Sequence, residues 1–429
     1  MKIINVTDPA AEAAGLRMAA AIPDALLQDT KAIMNLVAER GDAAIADYTA
    51  KFDGASVTLL RVTRKEVDKA YGAITVGQAK AIRLIRDRLE KTERALLKRL
   101  KGIEVSFEGV QIQRRLVPVS SVGCYVPGGK AKYPSTLVMC AVPAKVAGVR
   151  RVVAISPPRK DGTVDPLTLA AADICGVDEF YKVGGAHGIA ALAYGTESIK
   201  PVSKIVGPGG MYVTAAKLLA SSRVSTDMVA GPTELLVYAD STADPYIVAA
   251  DLISQSEHSP DTVCGLVTNS KNLASHVQSQ VQAIVEKGIE RREIVQASLD
   301  RNGFIAICRG ESACIEFANE FAPEHLQVIT RNAEQAAKKI KSAGLVLVGP
   351  NTPSAASDYC LGSNHVLPTL GFGKSRASLS VLDFVKIVNR VSASREGLAK
   401  VSDPIREIAM AEGLPNHFRA VWARTEQNR

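Results

Sequence analysis

Six histidines are few enough that the company of each is informative: His187, His258, His276, His325, His365 and His417. Five of them stand beside Gly, Pro, Asn or acidic residues where helices or strands end, whereas a core histidine would sit in an unbroken apolar run. Pro323-Glu324-His325 puts a carboxylate next to an imidazole just ahead of the strand-like Leu326-Gln327-Val328-Ile329. That pairing suits proton transfer near neutral pH, because imidazole titrates there unaided and a partly buried Glu is tuned upward. Gln255-x-x-His258 closes a helix that begins near Tyr246, and the i, i+3 spacing sets both side chains on one face of its last turn. An amide oxygen with an imidazole is a donor pair that zinc accepts, but zinc takes three or four ligands, so the pair alone makes no site. Ser357-Asp358-Tyr359 and Gly362-Ser363-Asn364-His365 fall in one long loop after a strand ending at Val348. Such loops bind ligands at the carboxyl ends of strands in doubly wound folds, although a plain surface turn has the same composition.

Two glycine clusters are placed to approach phosphates. Gly184-Gly185-Ala186-His187-Gly188 lies between a strand and a helix, and Gly207-Pro208-Gly209-Gly210 precedes the helix Tyr212 to Leu219. Helix starts after such turns offer free N–H groups to a pyrophosphate. Neither cluster spells G-x-G-x-x-G, so the context points to a nucleotide without saying which.

The elements that must position these residues are legible as periods. From about residue 26 to 101 apolar residues recur at three and four, which predicts helices, and from Val105 to Val119 the period falls to two, which predicts paired strands. β-Branched runs then alternate with Ala-rich helical runs: Arg151 to Ser156, Leu167 to Cys175, Glu179 to Val183, Ile189 to Tyr194. A second such series runs from Glu234 to Val348. The alternation predicts βαβ units and two parallel, doubly covered sheets. In the last sixty residues Ser380-x-x-Asp383 reads as a capping box opening a helix, with further helical stretches punctuated by Pro404 and Pro415. That tail cannot bury its own apolar face, and it is expected to dock on its own body or on a second subunit.

Composition removes several classes. With 429 residues, 47% hydrophobic and 22% charged, the chain is a folded globular protein of two or three domains, not a disordered or collagen-like one. The net charge of +8 is not gathered into a stripe: Arg83 to Lys101 is interleaved with Asp87, Glu90 and Glu93, as on the wet face of an amphipathic helix. No nucleic-acid partner is expected. Seven cysteines without a C-x-x-C pair suit a reducing compartment, and no export signal or membrane span is read, so a cytoplasmic location is expected.

Longer motifs then stand out in order: Gly123-Cys124-Tyr125-Val126-Pro127-Gly128-Gly129, Tyr133-Pro134-Ser135-Thr136, Pro143-Ala144-Lys145-Val146-Ala147-Gly148-Val149, Gly207-Pro208-Gly209, Ala230-Gly231-Pro232-Thr233-Glu234, Gln255-Ser256-Glu257-His258, Ala322-Pro323-Glu324-His325-Leu326, Asn364-His365-Val366-Leu367-Pro368-Thr369 and Glu412-Gly413-Leu414. With these the sequence resembles the histidinol dehydrogenases from about Pro118 to Arg424, with a weaker helical match before. The resemblance implies oxidation of L-histidinol to L-histidine through the aldehyde, the last step of histidine biosynthesis, with two NAD⁺ reduced and one zinc per subunit. It assigns Gln255, His258, Asp358 and His417 to the metal, Glu324 and His325 to catalysis, and Tyr125, His187 and Gly210 to NAD. Substrate contacts are implied for Thr233, Gln255, His258, His325, Asp358, His365, Glu412 and His417.

The resemblance further implies two incomplete Rossmann-like, doubly wound α/β domains in a domain-swapped homodimer with shared active sites. One domain, carrying the metal and catalytic residues, comprises residues 20–120 plus 235–372, and the other, on the NAD side, comprises 121–234. Residues 1–19 plus 373–400 form a small helical extension, and 401–429 a helical tail that reaches the partner. The chain departs from the family pattern at His187, Gly210 and Thr233, where Gln, Asn and Ser are usual, and at Ser354, where a Glu usually precedes the metal Asp by four. Those changes leave open another small polar alcohol, for example a sulfonated diol, oxidised by a paralogous zinc- and NAD-dependent enzyme.

Overall fold

A computed structural model describes residues 1–17, 22–128, 132–228 and 231–425. Gly129 and Ala230 of the motifs above lie outside the described residues. The strands in chain order are β1 (Lys2–Asn5), β2 (Ile103–Phe107), β3 (Val110–Pro118), β4 (Ser121–Tyr125), β5 (Arg151–Ser156), β6 (Glu179–Lys182) and β7 (Lys204–Val206). They continue as β8 (Ser225–Thr226), β9 (Glu234–Ala239), β10 (Val263–Thr268), β11 (Phe304–Ile307), β12 (His325–Ile329), β13 (Leu345–Val348) and β14 (Val385–Ala393).

Two sheets are wholly parallel. One runs β6-β5-β4-β7-β8 and the other β1-β11-β10-β9-β12-β13. Leaving β1 aside, each has the same order, with a switch point between β4 and β7 and between β9 and β12. Every residue of β9 and β10 is buried, as expected for strands covered by helices on both faces. The run Thr136 to Ala147 belongs to a helix, Pro134–Ala147, that is apolar all round because it lies between the five-stranded sheet and the helix Val76–Arg99. No described helix is long and apolar enough to cross a membrane.

The helix Val76–Arg99 buries Ile82, Ile85, Leu89 and Glu93 on one stripe and turns its arginines to water, as its charge pattern predicts. Three other expectations are corrected. The helices at 24–53, 64–72 and 76–99 do not join the sheet of residues 234–348: they pack on helices of the five-stranded unit, Ile33, Met34 and Val37 against Ile189 and Leu192. The six-stranded sheet is already covered by its own crossover helices. Residues 1–19 are not simply helical, since β1 extends the six-stranded sheet beside β11. Nor is 373–400: the Ser380–Asp383 capping box opens only a single 3₁₀ turn, and β14 follows, antiparallel to β3 from Val385 opposite Pro118 to Ala393 opposite Val110. Pairing with the free edge of β3 wins because it aligns nine residues in one ladder and satisfies the backbone groups of alternate ones.

Candidate active site

Glu324 and His325 stand at the head of β12, next to the head of β9, so they occupy the switch point of the six-stranded sheet. They lie at the amino ends of these strands, opposite to the usual ligand edge. The helix Pro245–Ser256 follows β9 and runs back across the sheet, and this return delivers Gln255 and His258 to the same amino edge. The loop after β13 makes the same return and sets the short helix Ser354–Ser357 against it. The loop carrying Asp358 and His365 therefore acts far from the strand end it leaves.

A chain of side-chain hydrogen bonds ties these pieces together. Ser354 Oγ donates to Gln255 Oε1 (3.1 Å), Gln255 Nε2 donates to Thr233 Oγ1 (2.8 Å), and Thr233 Oγ1 donates to Glu324 Oε2 (2.5 Å). The N–H of Glu234 also donates to Glu324 Oε2, at 2.8 Å. His325 Nδ1 lies 3.3 Å from the carbonyl oxygen of Glu234, which only accepts, so Nδ1 carries the proton of the neutral ring. Nε2 is then the basic nitrogen. It is buried without a hydrogen-bond partner, 3.6 Å from Asp358 Oδ1. Burial pushes the imidazole down, but Glu324 and Asp358 beside it win and raise it to about 10. Asp358 is half-buried, and although burial opposes it, His325, His365 and His258 hold its carboxyl below the ordinary range. His258 Nδ1 faces the carbonyl of Gln255 at 3.1 Å, which leaves its Nε2 outward. His365 is pinned by the Asp358 carbonyl (2.7 Å) and by Thr136 Oγ1 (3.2 Å), the latter on the helix that follows β4.

The structure thus gathers Thr233, Gln255, His258, Glu324, His325, Asp358 and His365. Among the described residues no three His, Cys, Asp or Glu side chains close on one point. Glu412 and His417 are not brought there. They line a separate, open groove of about 330 Å³ together with Val401, Pro404, Ile405 and Ile408. The tail helices 395–400, 402–411 and 415–425 pack on one another, and Ser394 before them hydrogen-bonds to Gly109 at the tip of the β2–β3 hairpin.

Tyr125, His187 and Gly210 collect at the carboxyl edge of the five-stranded sheet. The Tyr125 hydroxyl accepts from Gly185 N at the start of the helix Gly185–Tyr194 (3.2 Å), and Gly210 opens the helix Met211–Ala220 with free space where a Cβ would stand. His187 is turned inward: it is 1% exposed, beside Tyr48 and Phe52, with Nε2 3.4 Å from Thr49 Oγ1 and no partner for Nδ1. The turn Gly207–Gly210 is pinned by a buried ion pair, Lys217 with Asp227, in which Asp227 accepts from Gly207 N and Lys217 donates to Gly207 O. Sequence reasoning named Glu234 only within a motif, and its buried carboxylate behind Glu324 and His325 gave no signal because it heads an apolar strand.

Over residues 17–425 the sequence matches the family model of histidinol dehydrogenase. It is 44% identical over 405 residues to the histidinol dehydrogenase of Methanopyrus kandleri, covering 93% of this chain and 94% of that one. Against the histidinol dehydrogenase of Methanocaldococcus jannaschii it is 40% identical over 400 residues, covering 93% and 92%. The crystal structure of histidinol dehydrogenase from Elizabethkingia anophelis is similar with a TM-score of 0.93 at 34% identity, covering 100% of this chain and 98% of that one.

Proposed function

The chain belongs to the histidinol dehydrogenase family, an enzyme family of histidine biosynthesis, and from that premise we propose how its residues act: L-histidinol is oxidised to L-histidinal and then to L-histidine, with a zinc ion and two NAD⁺. The observation that carries this reading is the buried Glu324–His325 pair, whose free Nε2 faces Asp358 beside Gln255. The donor set fits zinc: an amide oxygen oriented by Ser354, an imidazole whose other nitrogen is engaged, and a carboxylate. The carboxyl edge of the five-stranded sheet fits a dinucleotide, with two helices starting there from glycine turns and the start at Gly210 exposed. When bound, zinc supplies a Lewis-acid anchor for the substrate imidazole and NAD⁺ accepts hydride.

His325 Nε2 removes the hydroxyl proton in the first half. It is the ring nitrogen left without a hydrogen-bond partner, because Nδ1 faces the Glu234 carbonyl. In the second half Glu324 takes a proton from the water that adds to the aldehyde carbon. Thr233 and the Glu234 N–H hold that carboxylate through Oε2, which fixes its direction. Thr136 and His365 link the two sheets at the site and shape the space for the substrate.

A fourth metal ligand, His417, comes from a second copy in this reading. The tail exposes Ile408, Met410, Leu414 and Trp422, and the β2–β3–β14 sheet exposes Val105, Phe107, Ile387 and Val391. Such apolar surface, on a tail whose helices pack chiefly on one another, suits a homodimer in which each tail completes the other's site. Zinc-loaded protein offered L-histidinol should form two NADH per histidinol, and chelation or His325→Ala should abolish it. Absence of turnover by the metal-replete dimer would refute histidinol as substrate.

A further inference from the structure

Glu234 is 4% exposed at the head of β9, where an apolar residue would start the strand as well. Its two carboxylate oxygens accept from two backbone groups distant in sequence: Oε2 from Glu324 N (3.1 Å) and Oε1 from Leu370 N (2.9 Å). Its own backbone grips the catalytic side chains, N–H on Glu324 Oε2 (2.8 Å) and carbonyl facing His325 Nδ1 (3.3 Å). Leu370 ends the loop that carries Asp358 and His365, and it sits in the left-handed region at φ +55. A bulky residue holds that conformation only when its surroundings fix it. Next to it, Gly231 N donates to Thr369 Oγ1 (2.7 Å), so the strap entering β9 and the loop leaving the site are fastened together.

We propose that Glu234 is a positioning residue for the oxidation reaction, one carboxylate that sets both the catalytic Glu324–His325 pair and the end of the Asp358–His365 loop. Only a carboxylate accepts from both N–H groups. A glutamine of the same size turns an NH₂ toward one of them, and an aspartate, one methylene shorter, does not span the two. Burial and the neighbouring Glu324 push the Glu234 carboxyl up to about 7. Keeping an acid there is a cost to the fold, which a site that needs this clamp tolerates.

The proposal rests on the function given above, and its test separates the two. Wild-type protein, Glu234→Gln and Glu234→Asp are loaded with zinc, and kcat and KM are measured with L-histidinol and, separately, with the aldehyde, alongside zinc content and thermal melting. The expected result for Glu234→Gln is a kcat lower by about 10- to 100-fold with both substrates, the effect of a small misplacement of catalytic groups. KM and zinc content should stay within about twofold, the split expected when only transition-state contacts are lost. A folded Glu234→Gln with wild-type kcat overturns the proposal. So does a variant in which kcat, zinc content and melting temperature fall together while KM rises, since that marks a structural role. If Glu234→Gln does not fold, Glu234→Asp is read by the same criteria. A wild-type protein inert toward histidinol overturns the function, and the proposal with it.

Discussion

Among single residues, His187 has a consequence for acid stability. Burial lowers its pKa from an ordinary 6.5 to about 4. Between those values the unfolded chain binds a proton that the folded protein refuses, so stability is full above about pH 6.5 and is lost as pH falls to about 4. The loss is about 3 kcal/mol at 1.36 kcal/mol per pH unit. Urea unfolding of wild type and His187→Gln should therefore give stability curves that converge as pH falls through this window, and parallel curves would refute it. At this scale the sequence displayed the site unevenly. Glu324 beside His325, and Gln255 three residues before His258, are neighbours in the chain, so their meeting was legible. Glu234 was not, because its partners are backbone N–H groups 90 and 136 residues away. The inward turn of His187 depends on Tyr48, Thr49 and Phe52, and no local pattern connects them.

Between elements, the turn from β7 to the helix Met211–Ala220 is a rigid corner. Gly207 has φ +117, and a Cβ there would collide with the backbone of Tyr125. The Lys217–Asp227 pair holds the same corner from below. Lys217→Met should cost about 3–5 kcal/mol, since it leaves a buried carboxylate without its counter-ion. A chemical-denaturation midpoint within experimental scatter of wild type would contradict this. The strands β5, β6 and β9 to β13 were readable because short β-branched runs alternate with helical ones, a pattern only βαβ units produce over such a length, whereas β4, β7 and β8 went unread because two to five residues are too few to show a period. The helices at 24–53 and 76–99 were readable as helices and not as to place: an amphipathic stripe says that it is buried, not on which sheet. β14 was misread because a capping box is a local signal, while pairing with β3 is settled by a strand some 270 residues earlier.

Across the whole molecule, the separation of His417 from Gln255, His258 and Asp358 makes the proposed dimer testable by mixing. Glu324→Gln and His417→Ala dimers should each be inert. Hybrids formed by unfolding and refolding them together carry one site with both residues intact, so about a quarter of wild-type activity should return for a symmetric dimer. A silent mixture would mean that each chain completes its own site. A different consequence follows from β1, whose Lys2–Asn5 pairs with Phe304–Ile307. During synthesis at about 5–20 residues per second β1 waits roughly 15–60 s for its neighbour β11. Residues 24–228, which hold the five-stranded sheet and its helices, have by then left the ribosome and can pack. β1 is made before residues 24–228 and placed after them. Until Phe304–Ile307 emerges, Ile3 and Ile4 have no sheet to join, and one sheet is packed while the strand β1 of the other is still loose.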